Sequence, residues 1–244
     1  MQVSPETLTP PTAAKALESL FYLSQTVTDY EEIGYEASKV ASTVVKCIRG
    51  YIKWAMRDVG IDERNTQPNM LVRAYPPDFR NDEDSEGSNF APSPVNSDGG
   101  GEQHLKAAAA RVYEDPEAEE AQRTRRFTRA VSRDLERRLF NMGQRWRHLL
   151  RDRNGGKGYI VPPPTLYAFA VIQHVVLLAS HDSSDAKNPV VVLEQVRLND
   201  RGQWLWNALS LALPVNQARD ALNRMWDTGV VVAEQPDSQD DPDL

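Results

Sequence analysis

A stretch near the middle of the chain combines a strict apolar period with a high density of arginine. Residues 123–153 carry eleven arginines against three acidic residues, a local charge of +8. Apolar side chains recur there at intervals of three and four residues: Phe127, Val131, Leu135, Leu139, Met142, Trp146 and Leu149. Because that interval is the period of an α-helix, the sequence predicts one long amphipathic helix over residues 117–153, with the arginines on its remaining faces.

A second apolar stripe predicts another long helix over residues 29–59. Capping-box patterns at Thr28 and Asp29 indicate its beginning, and Gly60 is a typical stop. A shorter helix is predicted from Thr12 to Val27. A helix as long as 29–59 needs a partner surface along its length, since isolated helices are marginal in water. We expect it to pair antiparallel with 117–153 or with a second copy of the chain, which would make the protein a homo-oligomer.

The last third of the sequence has the composition of β-structure. Residues 166–180 and 190–198 are rich in Val, Ile, Phe and Tyr, and the residues between them have turn chemistry, so the sequence predicts a long β-hairpin. Residues 203–212 predict a buried helix packed on that hairpin, which Pro214 kinks or restarts. Shorter strands are predicted at 69–75 and at Val230–Val232.

Together these elements predict an α+β fold, mainly helical, with long amphipathic helices and a C-terminal β-hairpin packed on a buried helix. The predicted segments, in chain order, are a flexible arm (1–11), a helical part of the core (12–75), a disordered acidic insertion (78–104), an arginine-rich helical part (105–153), a hairpin and helix part (158–233) and an acidic tail (234–244).

Composition excludes several classes of protein. The single cysteine, Cys47, rules out a disulfide framework, and no Asn-x-Ser/Thr acceptor occurs in the sequence. The longest apolar stretch, residues 166–179, is shorter than the roughly 20 residues that cross a bilayer. We therefore expect an intracellular protein of the nucleus or cytoplasm with no membrane partner.

The sequence does not match the usual catalytic and phosphate-binding motifs, and it predicts no cofactor. Asp182 and Glu194 on adjacent predicted strands are the most enzyme-like pair, because two carboxylates can hold the magnesium ion of a restriction-type nuclease. The position where such a nuclease places lysine holds Val196. A metal-dependent or degenerate nuclease-like domain is therefore one alternative interpretation.

The arginine-rich helix is the strongest binding feature. Arginine makes bidentate contacts to carboxylates and phosphates that lysine cannot make. We interpret the chain as a non-enzymatic interaction or scaffold protein, regulatory and eukaryotic in style, whose helix meets an acidic protein partner through Arg125, Arg126, Arg129, Arg133 and Arg137. Two alternatives stay open: nucleic-acid binding through residues 123–153, and arginines that are merely solvated. The tryptophans at 204, 206 and 226 are interpreted as core, with a partner pocket as the alternative.

Overall fold

The computed structural model describes residues 13–61, 66–80, 116–152, 155, 158, 159 and 161–229. Its described helices are α1 (Ala13–Ile33), α2 (Ala37–Asp58), α3 (Pro116–Asp152) and α4 (Trp204–Asp227), the last preceded by a 3-10 turn at Arg201–Gln203. Its strands are β1 (Met70–Ala74), β2 (Thr165–Ile172), β3 (Val175–Asp182) and β4 (Val190–Arg197). The predicted α+β class, mainly helical, is confirmed.

The described residues fall into two compact units. One unit contains the sheet, α1, α2, α4 and α3 from Glu136 onward, and the other contains Pro77–Arg80 and α3 up to Leu135. The predicted segments 1–11 and 234–244 lie outside the described residues, as do Val230–Val232, and only the first three residues of the predicted insertion at 78–104 are described.

The four strands form one mixed sheet in the order β1-β2-β3-β4. β1 runs parallel to β2, whereas β2, β3 and β4 pair antiparallel in succession. Five of the eight residues of β2 are buried, including Leu166, Phe169 and Val171, because β2 is a central strand with helices on both sides.

Opposite faces of the sheet carry different helices. Tyr167 lies on the face of α4, because its hydroxyl donates to Gln217 Oε1 at 2.8 Å. His181 lies on the other face, where its ring meets Phe140 of α3 edge-on with 4.9 Å between centroids. α1 and α2 pack with α4, and α2 also contacts β1 and β2.

The predicted hairpin is wrong in one respect, since the segment taken as its first strand is itself a hairpin. β2 and β3 meet at a two-residue turn, Gln173 and His174, with Ile172 paired to Val175. Gln173 has φ of 55°, which is unusual for a residue other than glycine. The two polar residues that interrupt the apolar run therefore mark the position of the turn.

The predicted boundary between the first two helices is also wrong. α1 continues to Ile33, so Thr28 and Asp29 lie inside a helix and not at its beginning. Gly34 has φ of 81°, and Tyr35 N donates to Tyr30 O at 2.9 Å, which is the C-terminal pattern of a helix that ends at a glycine.

The predicted partner of the second helix is not found among the contacts of the described residues. α2 packs on α1, α4, β1 and β2, whereas α3 beyond Glu136 packs near β3, and Trp146 Nε1 donates to Pro68 O at 2.9 Å.

The C-terminal helix is less buried than predicted. α4 runs unbroken through Pro214 from Trp204 to Asp227. Trp204, Trp206 and Trp226 are 47%, 65% and 43% exposed, so their interpretation as core is wrong.

Candidate interaction surfaces

The arginines predicted to bind a partner are exposed on the N-terminal half of α3. Arg125, Arg126 and Arg129 are exposed, and none of them pairs with a group in the described part of the chain. Arg133 and Arg137 are exposed as well, but each already interacts with a neighbouring group. The three unpaired guanidinium groups, which we call the arginine surface, therefore carry the candidate site.

Local sequence explains why this surface is helical and basic. Pro116 begins α3, a position that suits proline, and Glu117 and Glu119 in the first turn complement the helix dipole. Arg123 pairs with Glu119 one turn away at 3.2 Å, so the acidic first turn occupies that arginine and leaves the next ones unpaired.

The spacing of the arginine surface suits an extended or helical acidic segment. Arg125 and Arg129 are four residues apart on the same side of the helix, and Arg126 lies one residue further round it. The three side chains therefore begin within about 6 Å along the helix axis. An exposed arginine can take a carboxylate in the bidentate geometry that gives the stronger charge-assisted hydrogen bonds.

The register of the sheet separates the two predicted nuclease carboxylates. Asp182 pairs with Thr165 at one end of β3, whereas Glu194 pairs with Leu178, four residues along the same strand. At about 3.3 Å per residue their backbones lie roughly 13 Å apart. Asp182 is occupied in its own turn, where it accepts from Ser184 N at 3.0 Å, and that contact holds the pKa of the Asp182 carboxyl below its ordinary value.

A buried polar cluster between α3 and β3 was not predicted from the sequence. His181 is 1% exposed, and neither of its ring nitrogens has a hydrogen-bond partner of ordinary geometry in the described residues. Ser183, two residues on, donates to Pro164 O at 2.6 Å, and Arg147 donates to Ser183 O at 2.9 Å. Burial is the largest effect on the His181 imidazole and lowers its pKa. The Pro189 backbone opposes this next most strongly, the Arg147 charge adds to the lowering, and the Asp182 charge and the Asn188 backbone oppose it least.

Gly143 brings the helix close to this cluster. A Cβ at that position would lie 3.1 Å from Ser183 Cβ and 3.3 Å from His181 Nε2. The only sequence signal was an isolated glycine in a helical pattern, which a packing requirement commonly explains.

Exposed apolar side chains form a second kind of surface. Trp204 packs edge-on against Phe21 and lines a groove of about 490 Å³ that also contains Tyr22 and Arg201. On β4, Val191, Val192 and Leu193 are 50%, 64% and 50% exposed. A run of β-branched and aliphatic residues predicts burial, so nothing in the sequence indicated that this strand is open.

The described residues contain no group of three or more histidine, cysteine or acidic side chains able to hold a metal ion. Within the same residues, no helix has both the length and the apolar character needed to cross a bilayer. In comparisons with known proteins, no family model, no curated protein and no solved structure matches the chain.

Proposed function

We propose that this chain is a non-enzymatic interaction protein that binds an acidic protein segment through the arginine surface of α3. The observation that carries the proposal is the set of three exposed guanidinium groups, those of Arg125, Arg126 and Arg129, with no partner in the described part of the chain. A cluster of arginines on one helix suits carboxylates, since the planar guanidinium loses less side-chain order per hydrogen bond formed than the lysine ammonium does.

Charge favours a protein partner over nucleic acid. The whole chain has a net charge of −7, so its long-range field repels a polyanion, and the basic region is confined to residues 123–153. A short acidic segment bound at the helix is affected mainly by charges within about 10 Å, because salt screens the remainder.

A co-purification experiment in cell extract tests the proposal. The variant Arg125→Glu/Arg126→Glu/Arg129→Glu reverses the surface, and Lys46→Glu/Lys53→Glu/Arg57→Glu on α2 makes the same change of charge at three other exposed cations. We expect a defined protein with an acidic segment to be retained by the wild type and by the α2 variant, and lost from the α3 variant.

The expected retention survives nuclease treatment, and the purified partner binds the wild type directly. Retention that nuclease abolishes would replace the proposal with nucleic-acid binding. An identical set of retained proteins for all three chains would overturn the arginine surface as a binding site.

A further inference from the structure

Each edge of the sheet has one outward carbonyl that a helix side chain caps. Two hydrogen bonds fix which peptide groups of β1 face β2: Tyr167 N donates to Asn69 O, and Tyr75 N donates to Val171 O. The peptide groups of the odd-numbered residues of β1 therefore point toward β2, and the Val72 carbonyl points to the free edge. Arg49 of α2 donates to that Val72 O at 3.0 Å. A cation therefore caps this one carbonyl of the β1 edge.

The edge at β4 is capped only at its end. Leu198 N donates to His174 O, so by alternation the peptide groups of Arg197 and Gln195 point away from β3. Asn207 of α4 donates to Arg197 O at 2.8 Å, which occupies the first of these groups. In the part of the chain that the structure describes, no donor or acceptor reaches the outward peptide groups of Gln195.

Residues 191–193 of β4 are exposed on both faces of the sheet. Val191 pairs with Ser180 and so lies on the face of α4, whereas Val192 pairs with Ala179 and lies on the face of α3. Both valines are at least half exposed, together with Leu193 at the bulge in the strand. A helix docked on one face would cover only alternate residues, whereas an added strand covers both sets, since its own side chains alternate in the same way.

We propose that the Val190–Leu193 edge of β4 is a homodimer interface at which β4 of a second copy adds antiparallel, extending the sheet across a two-fold axis. This interface differs from the arginine surface and does not depend on it.

Charge complementarity supports a second copy in this orientation. The nearest charged residue before the apolar run is Lys187, and the nearest after it is Glu194. Both are exposed. An antiparallel pairing about a two-fold axis through Val191, with the bulge at Leu193, brings Glu194 of each copy diagonally toward Lys187 of the other, at a separation that long side chains bridge. A parallel pairing would bring like charges together.

The area available fits a weak dimer. Val191, Val192 and Leu193 are half exposed or more, and Trp206, next to the Asn207 that caps the end of β4, is 65% exposed. These few side chains and one strand backbone make a smaller contact than the roughly 800 Å² that each partner buries in a standard interface. We therefore expect dissociation in the micromolar range and not a permanent dimer.

Sedimentation of the full chain over a concentration series tests the proposal. The wild type is expected to shift from monomer to dimer, and Val192→Lys, a charge on the exposed edge, is expected to weaken association at least about tenfold, because edge lysines block strand pairing. Ile33→Lys is the matched control: Ile33 is 68% exposed at the end of α1, and its variant should associate like the wild type.

Cross-linking gives a second readout that does not depend on the stability of the lysine variant. With Cys47→Ser removing the native thiol, Val191→Cys, at the position that faces itself across the two-fold axis, is expected to form a disulfide between two copies on mild oxidation, whereas Ile33→Cys is not. A wild type that stays monomeric throughout the series would overturn the proposal. Dimers that form equally well with Val192→Lys and fail to cross-link at position 191 would also overturn it.

Discussion

Gly143 determines how closely α3 approaches β3. An added Cβ would meet Ser183 Cβ at 3.1 Å and the Arg147 guanidinium at 3.2 Å, so these neighbours would have to give way by a few tenths of an ångström. We predict that Gly143→Ala destabilises the fold by about 1–3 kcal/mol, the usual cost of overpacking a dense core. Urea denaturation measures this change.

Gly50→Ala is the control for this prediction. Gly50 lies in α2 with nothing within 4 Å of an added Cβ, so alanine there should stabilise the helix by up to about 1 kcal/mol. If both alanines shift the free energy of unfolding alike, close packing at Gly143 is not the cause.

His181 should make the stability of the fold depend on pH. Burial lowers the pKa of its imidazole in the folded state below the ordinary value of 6.5 that the unfolded chain retains. As the pH falls, the unfolded chain therefore takes up the proton first. The contribution of neutral His181 to the free energy of unfolding is fully present above pH 6.5 and is lost as the pH falls toward the lowered pKa.

The variant His181→Leu isolates this effect, because it keeps a side chain of similar size without a titratable group. We expect the wild type to lose more free energy of unfolding than His181→Leu when the pH is lowered below 6.5, as followed by urea midpoints. His148→Gln, at an exposed histidine, should keep the pH dependence of the wild type. Parallel curves for the wild type and His181→Leu would contradict the buried, neutral state of this histidine.

At the scale of elements, Gly34 decides that α1 and α2 are two helices. Its φ of 81° lies in the left-handed region, and no atom would crowd a Cβ there, so the cost of substitution is backbone strain alone. We predict that Gly34→Ala costs about 1–2 kcal/mol. Gly34→Asn should cost less, since asparagine tolerates this conformation. Thermal unfolding that ranks alanine as no worse than asparagine would contradict the assigned role.

The sequence predicted elements well where the pattern was long and failed where a turn used ordinary residues. The prediction of a helix over 117–153 is confirmed by α3, and that of a strand over 69–75 by β1. The turn at Gln173 and His174 was missed because neither residue is a usual turn former, so an apolar run on both sides of it resembled one strand.

The candidate site was predictable only in part. Because the apolar residues of α3 recur every three or four positions, the sequence places Arg125, Arg126 and Arg129 outside the apolar stripe. The structure shows all three exposed. Whether an arginine pairs within the chain depends on what the fold brings near it, as Arg123 and Glu119 illustrate. The exposure of Val192 and Trp206 also depends on tertiary packing, because it is set by which edge and which side of the fold lack a covering element. No local sequence pattern encodes this packing.

For the whole molecule, the separation of charge is the property that most affects binding. A chain with a net charge of −7 presents on one helix three arginines that have no partner among the described residues, while the α2 cations Lys46, Lys53 and Arg57 lie elsewhere. If binding depended on net charge alone, reversing either set would weaken it equally. If it depends on the arginine surface, only reversal on α3 should matter.

The most direct test is the affinity of a fluorescent acidic peptide, about half of whose residues are Asp or Glu, measured by anisotropy at two salt concentrations. The account predicts that the wild type and Lys46→Glu/Lys53→Glu/Arg57→Glu bind it with similar affinity that falls with salt. It also predicts that Arg125→Glu/Arg126→Glu/Arg129→Glu binds at least about tenfold more weakly, a loss of roughly 1.4 kcal/mol or more. Equal affinity for the two charge-reversed variants would contradict the account.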